Sequence, residues 1–226
     1  MKPQLACFER LGAAGWSALA ETVAAARGAG LLVVADGKRG DVPVSARAYA
    51  QSLFGTTPSP FGEIDGLGAD AATVNPLAGG DSIEPFVEAA EAAGAGLFTL
   101  VRTSNDGAAD LLDVPAPEAP LHERLAALVA ARAGRLDGKS GLSGMGAVVG
   151  ATAPQHLGRL RELMPTSVFL IPGVGAQGGK PADLGPAVGE HPASILVAAS
   201  RSIAGAGDPA AAADALRAEV WELSSS

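Results

Sequence analysis

Six short apolar stretches punctuate the chain, at residues 30–35, 71–75, 96–101, 146–150, 167–171 and 194–199. None alternates polar with apolar positions. Each has the length of a strand buried on both faces, as parallel strands are. A strand stub at residues 2–6 precedes them. Between the stretches lie Ala-rich segments, 14–27, 43–54, 81–93, 122–133, 154–163 and 209–223, whose apolar residues recur at helical spacing. Asp81 before Ser82-Ile83-Glu84 and Asp208 before Pro209 read as helix starts. Gly94 and Gly134 stand where helices should stop. Residues 112–120 and 138–144 read as loops rather than boundaries, so the pattern predicts one domain over 1–226.

Strict β-α alternation gives either a (β/α)8 barrel or an open doubly wound sheet. No Gly-x-Gly-x-x-Gly follows the first full stretch, which counts against a dinucleotide fold. Polar residues gather instead just past the C-terminal ends of the predicted strands: Asp36, Lys38 and Asp41, then Asn75, Thr103 and Ser104, Thr152, Gln177, and Arg201. Barrel enzymes build their sites on that face. The prediction is an α/β fold of the TIM (β/α)8 type. A full barrel takes eight βα units in about 250 residues. Six strands and a stub leave the pattern about one unit short, and the deficit falls at the N-terminus.

Composition narrows the function. With 48% hydrophobic and 18% charged residues, the chain has the apolar content of a folded core. A net charge of −8 argues against nucleic-acid and anionic-membrane partners. It also makes any local cluster of Lys and Arg informative. A single cysteine, Cys7, allows no intrachain disulfide and no Cys-cluster metal site, and it suits a reducing cytoplasm. We expect Cys7 to be buried on a helix. No apolar run reaches the ~18 residues of a membrane span, and the N-terminus lacks the layout of a signal peptide. His122, His156 and His191 fall in helical or loop contexts with no metal triad, so all three read as surface or structural. Trp16, Tyr49 and Trp221 read as helix packing residues, Tyr49 with the further option of a subunit interface.

The segment Asp36-Gly37-Lys38-Arg39-Gly40-Asp41 carries the densest chemistry. Asp36 and Lys38, two apart at a strand end, point to one side, and Asp41 follows the turn. Two carboxylates flanking an ammonium can fix its position, and a positioned Lys can give a proton to a carbanion. Residues 172–179, Pro-Gly-Val-Gly-Ala-Gln-Gly-Gly, form a glycine-rich turn whose N–H groups can face an anion, with Arg201 at the next strand end. From the residues alone, a solvated charged loop and a merely tight turn stay open as alternatives.

Here the sequence resembles a known family. DGKRGDV is similar to the signature of the orotidine 5′-phosphate decarboxylases, and the neighbouring sequence to their bacterial type 2 subgroup. MKPQLACFERLG, TVNPLAGGDSIEPF, LVRTSN, VVGATAP, IPGVGAQGG and ASRSI resemble further segments of that subgroup, in order, from Lys2 to about Ile203.

The resemblance implies a cofactor-free decarboxylation of orotidine 5′-phosphate to uridine 5′-phosphate. Lys38 protonates C6, Asp36 lies near the departing carboxylate, and Lys2 bridges the carboxylates and contacts the ribose. Family members are homodimers with a shared site, so Asp41 and Ser45 are expected to act in the partner's site. Ser45 stands where the family usually has Thr. Ser104 is expected on the pyrimidine edge, Gln177 between pyrimidine and phosphate, and Arg201 on the phosphate. Asn75, Thr103, Thr152, Pro172, Gly173 and Gly178 complete the expected pocket, with no metal ligand. The family's first strand, ending in a ribose-binding Asp, has no match. This places Lys2 on a frayed end and predicts impaired folding and reduced turnover. Two alternatives remain. One is a phosphosugar enzyme of the same barrel suprafamily, such as a Mg²⁺-dependent hexulose-phosphate synthase. Arg39-Gly40 and the Gly-Ala-Gln-Gly-Gly turn count against it. The other is a truncated barrel that only binds a nucleotide or a partner. Residues 175–180 are a candidate lid.

Overall fold

The computed structural model describes residues 1–224. The chain divides into two compact units, Met1–Thr99 and Leu100–Ser226.

In the first unit, residues 1–4 are extended. Then follow α1 (Leu5–Glu9), α2 (Gly12–Gly28), β1 (Val34–Arg39), α3 (Pro43–Phe54), a hairpin of β2 (Thr56–Ser59) and β3 (Gly62–Asp65), β4 (Ala71–Val74), α4 (Gly80–Ala93) and the start of β5 (Gly96–Arg102). β1 pairs with β4, and β4 with β5, both parallel. All four residues of β4 are buried, as a strand covered on both faces requires. α3 starts on Pro43, whose fixed φ suits a first helical turn, and buries Ala46, Ala50, Leu53 and Phe54 along one stripe. α4 buries Ile83, Phe86, Val87 and Ala90 and ends at Gly94, whose φ of 65° favours glycine. Leu19, Val33, Ala35, Val74, Ile83, Phe86 and Leu97 are fully buried. Each large side chain so placed contributes about 1.5–3 kcal/mol.

The second unit continues with the end of β5. It then has α5 (Ala109–Leu112), α6 (Leu121–Ala130), β6 (Ser143–Val149), α7 (Leu157–Leu163), β7 (Ser167–Pro172), β8 (Ile195–Ala198), α8 (Arg201–Ala204) and α9 (Pro209–Ser224). β6 pairs parallel with β7, and β7 with β8. Met145, Ala147, Val149, Leu157, Leu160, Phe169, Ile171 and Leu184 form its core. The βα repeat expected from the apolar pattern is present in both units.

Several details differ from the expectation. The stub at 2–6 is an extended segment only to Gln4, and Leu5 already starts a helix. Lys2 is not on a frayed end. The Met1 amine donates to the Leu32 carbonyl at 2.6 Å, and Val34 N–H and Asp36 N–H donate to Met1 and Pro3 carbonyls at 2.9 and 3.0 Å. These bonds hold residues 1–4 beside β1. The strand expected at 30–35 runs later, Val34–Arg39, leaving Leu31 and Leu32 exposed. Hydropathy registers the apolar run, whereas ladder pairing decides where the strand begins. The β2–β3 hairpin, anchored in neither an apolar run nor a helical stripe, has no counterpart in the prediction. Cys7 is exposed rather than buried. Trp16 and Trp221 lie largely on the surface, each with part of its ring in water.

Candidate active site

The charged array grows out of an irregularity in β1. Ala35 pairs with Ala72 and Arg39 with Val74, so four steps of β1 are set against two of β4. The extra residues bulge, and bulges re-aim side chains next to functional sites. Within the bulge, Lys38 has φ +47°, the only positive φ at a non-glycine among the described residues. A left-handed Lys costs roughly 1–2 kcal/mol and needs support. Thr73 of β4 supplies it: its Oγ1 accepts the Lys38 N–H at 2.9 Å and donates to Asp36 Oδ1 at 3.0 Å.

Asp36 is the hub. Lys38 Nζ donates to its Oδ1 at 2.5 Å, and Lys2 Nζ donates to its Oδ2. The Asp36 side chain is 6% exposed, against 27% for Lys2 and 41% for Lys38. Burial alone would raise the Asp36 pKa, but the hydrogen bonds and charges of Lys2 and Lys38 outweigh it, and the carboxyl is held below its ordinary value. Within the chain, two ammoniums thus flank one carboxylate. Asp41 Oδ1 accepts its neighbour Val42's N–H at 2.7 Å. Ser45 is half-buried in α3. Asn75 sits just past β4, donating its N–H to Arg39 O at 2.7 Å and accepting the Leu77 N–H on its Oδ1 at 3.0 Å. Gly40 is required there, because a Cβ would stand 2.2 Å from the Asn75 carbonyl oxygen.

In the second unit, Ser104 Oγ donates to Gln177 Oε1 at 2.8 Å, and Thr152 Oγ1 donates to the Ser104 carbonyl at 2.9 Å. The fit around Ser104 is close. A Cβ on Gly173 would meet Ser104 Cβ at 2.9 Å and Thr152 Cγ2 at 3.3 Å, so Ser104, Thr152 and Gly173 converge. Thr103 turns to Asn105 at 2.8 Å. The glycine turn after Pro172 spends part of its backbone on itself. Gly175 N–H donates to Gly179 O, Gly178 N–H to Gly175 O, and Gly179 N–H to Gly173 O, at 2.8–3.0 Å. Those three N–H groups are therefore not free for an anion, contrary to the reading of the turn as a row of open donors. A Cβ on Gly175 would lie 3.8 Å from Ser202, so the turn abuts the start of α8 and its exposed Arg201.

The sequence reading missed two features. Thr73 is one, and its signal was a hydroxyl inside an otherwise apolar strand. The other is a cluster beyond β5. Arg102 grips Asp113 with two hydrogen bonds, 2.8 and 3.0 Å. His122 and His156 approach Asp113 Oδ1 at 3.3 and 3.7 Å, their rings 4.5 Å apart. His122 is buried, not superficial, and it stands in a possible metal-ligating group that the sequence did not reveal. The Arg102 hydrogen bonds, helped less by its charge, hold the Asp113 carboxyl below its ordinary value against the opposing effect of burial. Burial and the neighbouring His122 push His156 down.

Comparison with known proteins shows the family. The family model described as Orotidine 5′-phosphate decarboxylase / HUMPS matches residues 1–216. A Rhodopirellula baltica orotidine 5′-phosphate decarboxylase is 44% identical over 207 residues, covering 90% of this chain and 66% of the relative. The structure of Leishmania donovani OMP decarboxylase superposes with a TM-score of 0.80 at 36% identity, covering all of this chain and 81% of that one. Leishmania donovani UMP synthase gives 0.79 at 38% identity, with 99% of this chain set on only 46% of that one. The chain thus spans just under two thirds of the Rhodopirellula relative and less than half of the synthase. With its parallel βα units of the TIM (β/α)8 type, the chain belongs to the orotidine 5′-phosphate decarboxylase / HUMPS family.

Proposed function

We propose that the chain decarboxylates orotidine 5′-phosphate to uridine 5′-phosphate. The observation that carries the reading is the Lys2–Asp36–Lys38 array, with Lys38 fixed at both its backbone and its ammonium. In the proposed step the C6–carboxylate bond breaks, carbon dioxide leaves, and the electron pair stays on C6. The Lys38 ammonium transfers one proton to that carbon. An ammonium held in place interacts more strongly with a developing carbanion than with the neutral ring, so its effect is greatest in the transition state. Asp36 holds both lysines in place and disfavours a second carboxylate beside it.

The remaining roles follow the family resemblance. Ser104 meets the pyrimidine edge. With its oxygen held by Ser104, the Gln177 amide keeps its nitrogen to donate between pyrimidine and phosphate. Arg201 pairs with the phosphate. Asn75, Thr103, Thr152, Pro172, Gly173 and Gly178 are the further substrate contacts that the resemblance implies. Asp41 and Ser45 serve the partner's site in a cytoplasmic homodimer. The names of the relatives and their identity over 90% of the chain support this reading. Among the described residues no helix is long and apolar enough to cross a membrane.

The test is turnover by purified protein. Release of carbon dioxide from orotidine 5′-phosphate, abolished in Lys38→Ala and slowed in Arg201→Ala, supports the proposal. Tight binding of a 6-substituted uridine monophosphate with no turnover favours a binding module instead. A Mg²⁺-dependent aldol reaction of a phosphosugar, with orotidine 5′-phosphate untouched, favours the synthase branch.

A further inference from the structure

Beyond β5, three side chains with metal-binding atoms come together without any part in the proposed decarboxylation. Asp113 follows α5, His122 lies in the first turn of α6, and His156 lies in the short turn before α7. One ligand atom from each can be chosen so that all three stand within 4.8 Å of one another. From Asp113 Oδ1 it is 3.3 Å to His122 Nδ1 and 3.7 Å to His156 Nε2. Ligands held 2.0–2.1 Å from a tetrahedral ion stand about 3.4 Å apart, so the Asp113–His156 separation needs little adjustment, and the Asp113–His122 one needs little once His122 Nδ1 is without its proton.

We propose that Asp113, His122 and His156 form a binding site for a zinc-class divalent ion, separate from the decarboxylase chemistry. The ligand set is two imidazoles and one carboxylate, with a fourth position left to water. Charge selects the ion. Arg102 matches the Asp113 charge through its paired hydrogen bonds, so the group carries no net negative charge. Mg²⁺ and Ca²⁺, which need several oxygen ligands, find only one carboxylate. Zn²⁺, Co²⁺ and Ni²⁺ gain from imidazole nitrogen and suit the group.

Arg102 also orients the site. Its hydrogen bonds to both carboxylate oxygens fix the Asp113 plane and leave Oδ1 a further lone pair, the usual support of a ligating carboxylate. His122 Nδ1 donates to the Leu112 carbonyl at 2.8 Å, which orients its ring. Coordination through Nδ1 moves that proton to Nε2 and gives up the Leu112 bond, whereas coordination through Nε2 keeps it. A bound ion ties the end of α5, the start of α6 and the turn before α7 to one centre.

The experiment uses untagged protein dialysed against chelator and then titrated with Co²⁺ alone, with Zn²⁺ as competitor. One equivalent of Co²⁺ should bind with the visible absorption of a four- or five-coordinate site, and Zn²⁺ should displace it. Asp113→Asn and His156→Phe, each checked for folding by circular dichroism, should weaken binding tenfold or more, while His191→Ala leaves it unchanged. His156 is only half-buried, so its replacement tests the site without emptying the core. Protein that takes up no Co²⁺, or whose uptake survives both substitutions, overturns the proposal. Neither result touches the decarboxylase reading, which is measured by turnover.

Discussion

Thr73 and Asp36 share a hydrogen bond across β4 and β1: the Thr73 hydroxyl donates to Asp36 Oδ1 at 3.0 Å while its oxygen accepts the Lys38 N–H at 2.9 Å. One hydroxyl thus steadies the carboxylate and the strained backbone of the proposed proton donor. Thr73→Val keeps the shape and removes both bonds. It should lower kcat roughly 10- to 100-fold, the cost of a misplaced catalytic group, and change KM much less. Thr73→Ser should restore most of the rate. Equal loss in KM and none in kcat would assign Thr73 a packing role only.

Lys38→Ala separates catalysis from folding. The Lys38 side chain is 41% exposed, and Lys2 still pairs with the buried Asp36 carboxylate once Lys38 is removed. The variant should therefore unfold near the parent's urea midpoint. Its decarboxylation should fall by at least the roughly 10²–10⁴-fold of a lost general acid. Residual turnover within a factor of ten of the parent removes Lys38 from the proton-donor role.

Asp36 sets an acid limit on stability. Its folded pKa lies below the ordinary value because Lys2 and Lys38 outweigh the effect of burial. A depressed carboxyl contributes stability above its unfolded pKa, about 3.9, and loses it as pH falls through the folded pKa. Urea unfolding of parent and Asp36→Asn should therefore differ by a constant margin from pH 7 to about 5. The margin should shrink below pH 4. A margin that grows on acidification contradicts the depressed pKa.

How far the sequence carried the reading depends on which force positions each residue. Buried stretches such as 71–75 and 167–171 were legible because parallel strands leave long apolar runs. Asp36 and Lys38 were legible as a pair on one side. Their bulge was not, because it arises from β1–β4 pairing, and pairing between distant segments leaves no local mark. For the same reason spacing alone did not bring Lys2, 34 positions away, to Asp36; only the resemblance did. The Asp113–His122–His156 group unites positions 43 apart at its extremes and follows no motif. The buried hydroxyl of Thr73 was visible as an oddity in its strand, but its two partners were not.

Arg161 offers a stability test independent of the site. It is buried in α7 at 8% exposure, and among the described residues its hydrogen-bond partners include no carboxylate. Its guanidinium donates to the carbonyls of Ala187, Met164, Ser167 and Ser194 at 2.8–3.2 Å and to Pro165 at 3.3 Å, and it stacks 3.7 Å over Phe169. Burial pushes its pKa down to about 10, which still leaves it a cation at neutral pH. One side chain thus satisfies carbonyls from the end of α7, the start of β7 and the turns at Pro181–Ala187 and Pro192–Ser194. Arg161→Leu fills similar volume but strands those acceptors, each worth about 1–3 kcal/mol when buried without a partner. The urea midpoint should drop by the equivalent of at least about 3 kcal/mol, while Arg161→Lys, a single ammonium, should recover only part of it. A loss below about 1 kcal/mol in Arg161→Leu would mean that water or backbone adjustment satisfies the carbonyls, and that Arg161 does not hold these turns in place.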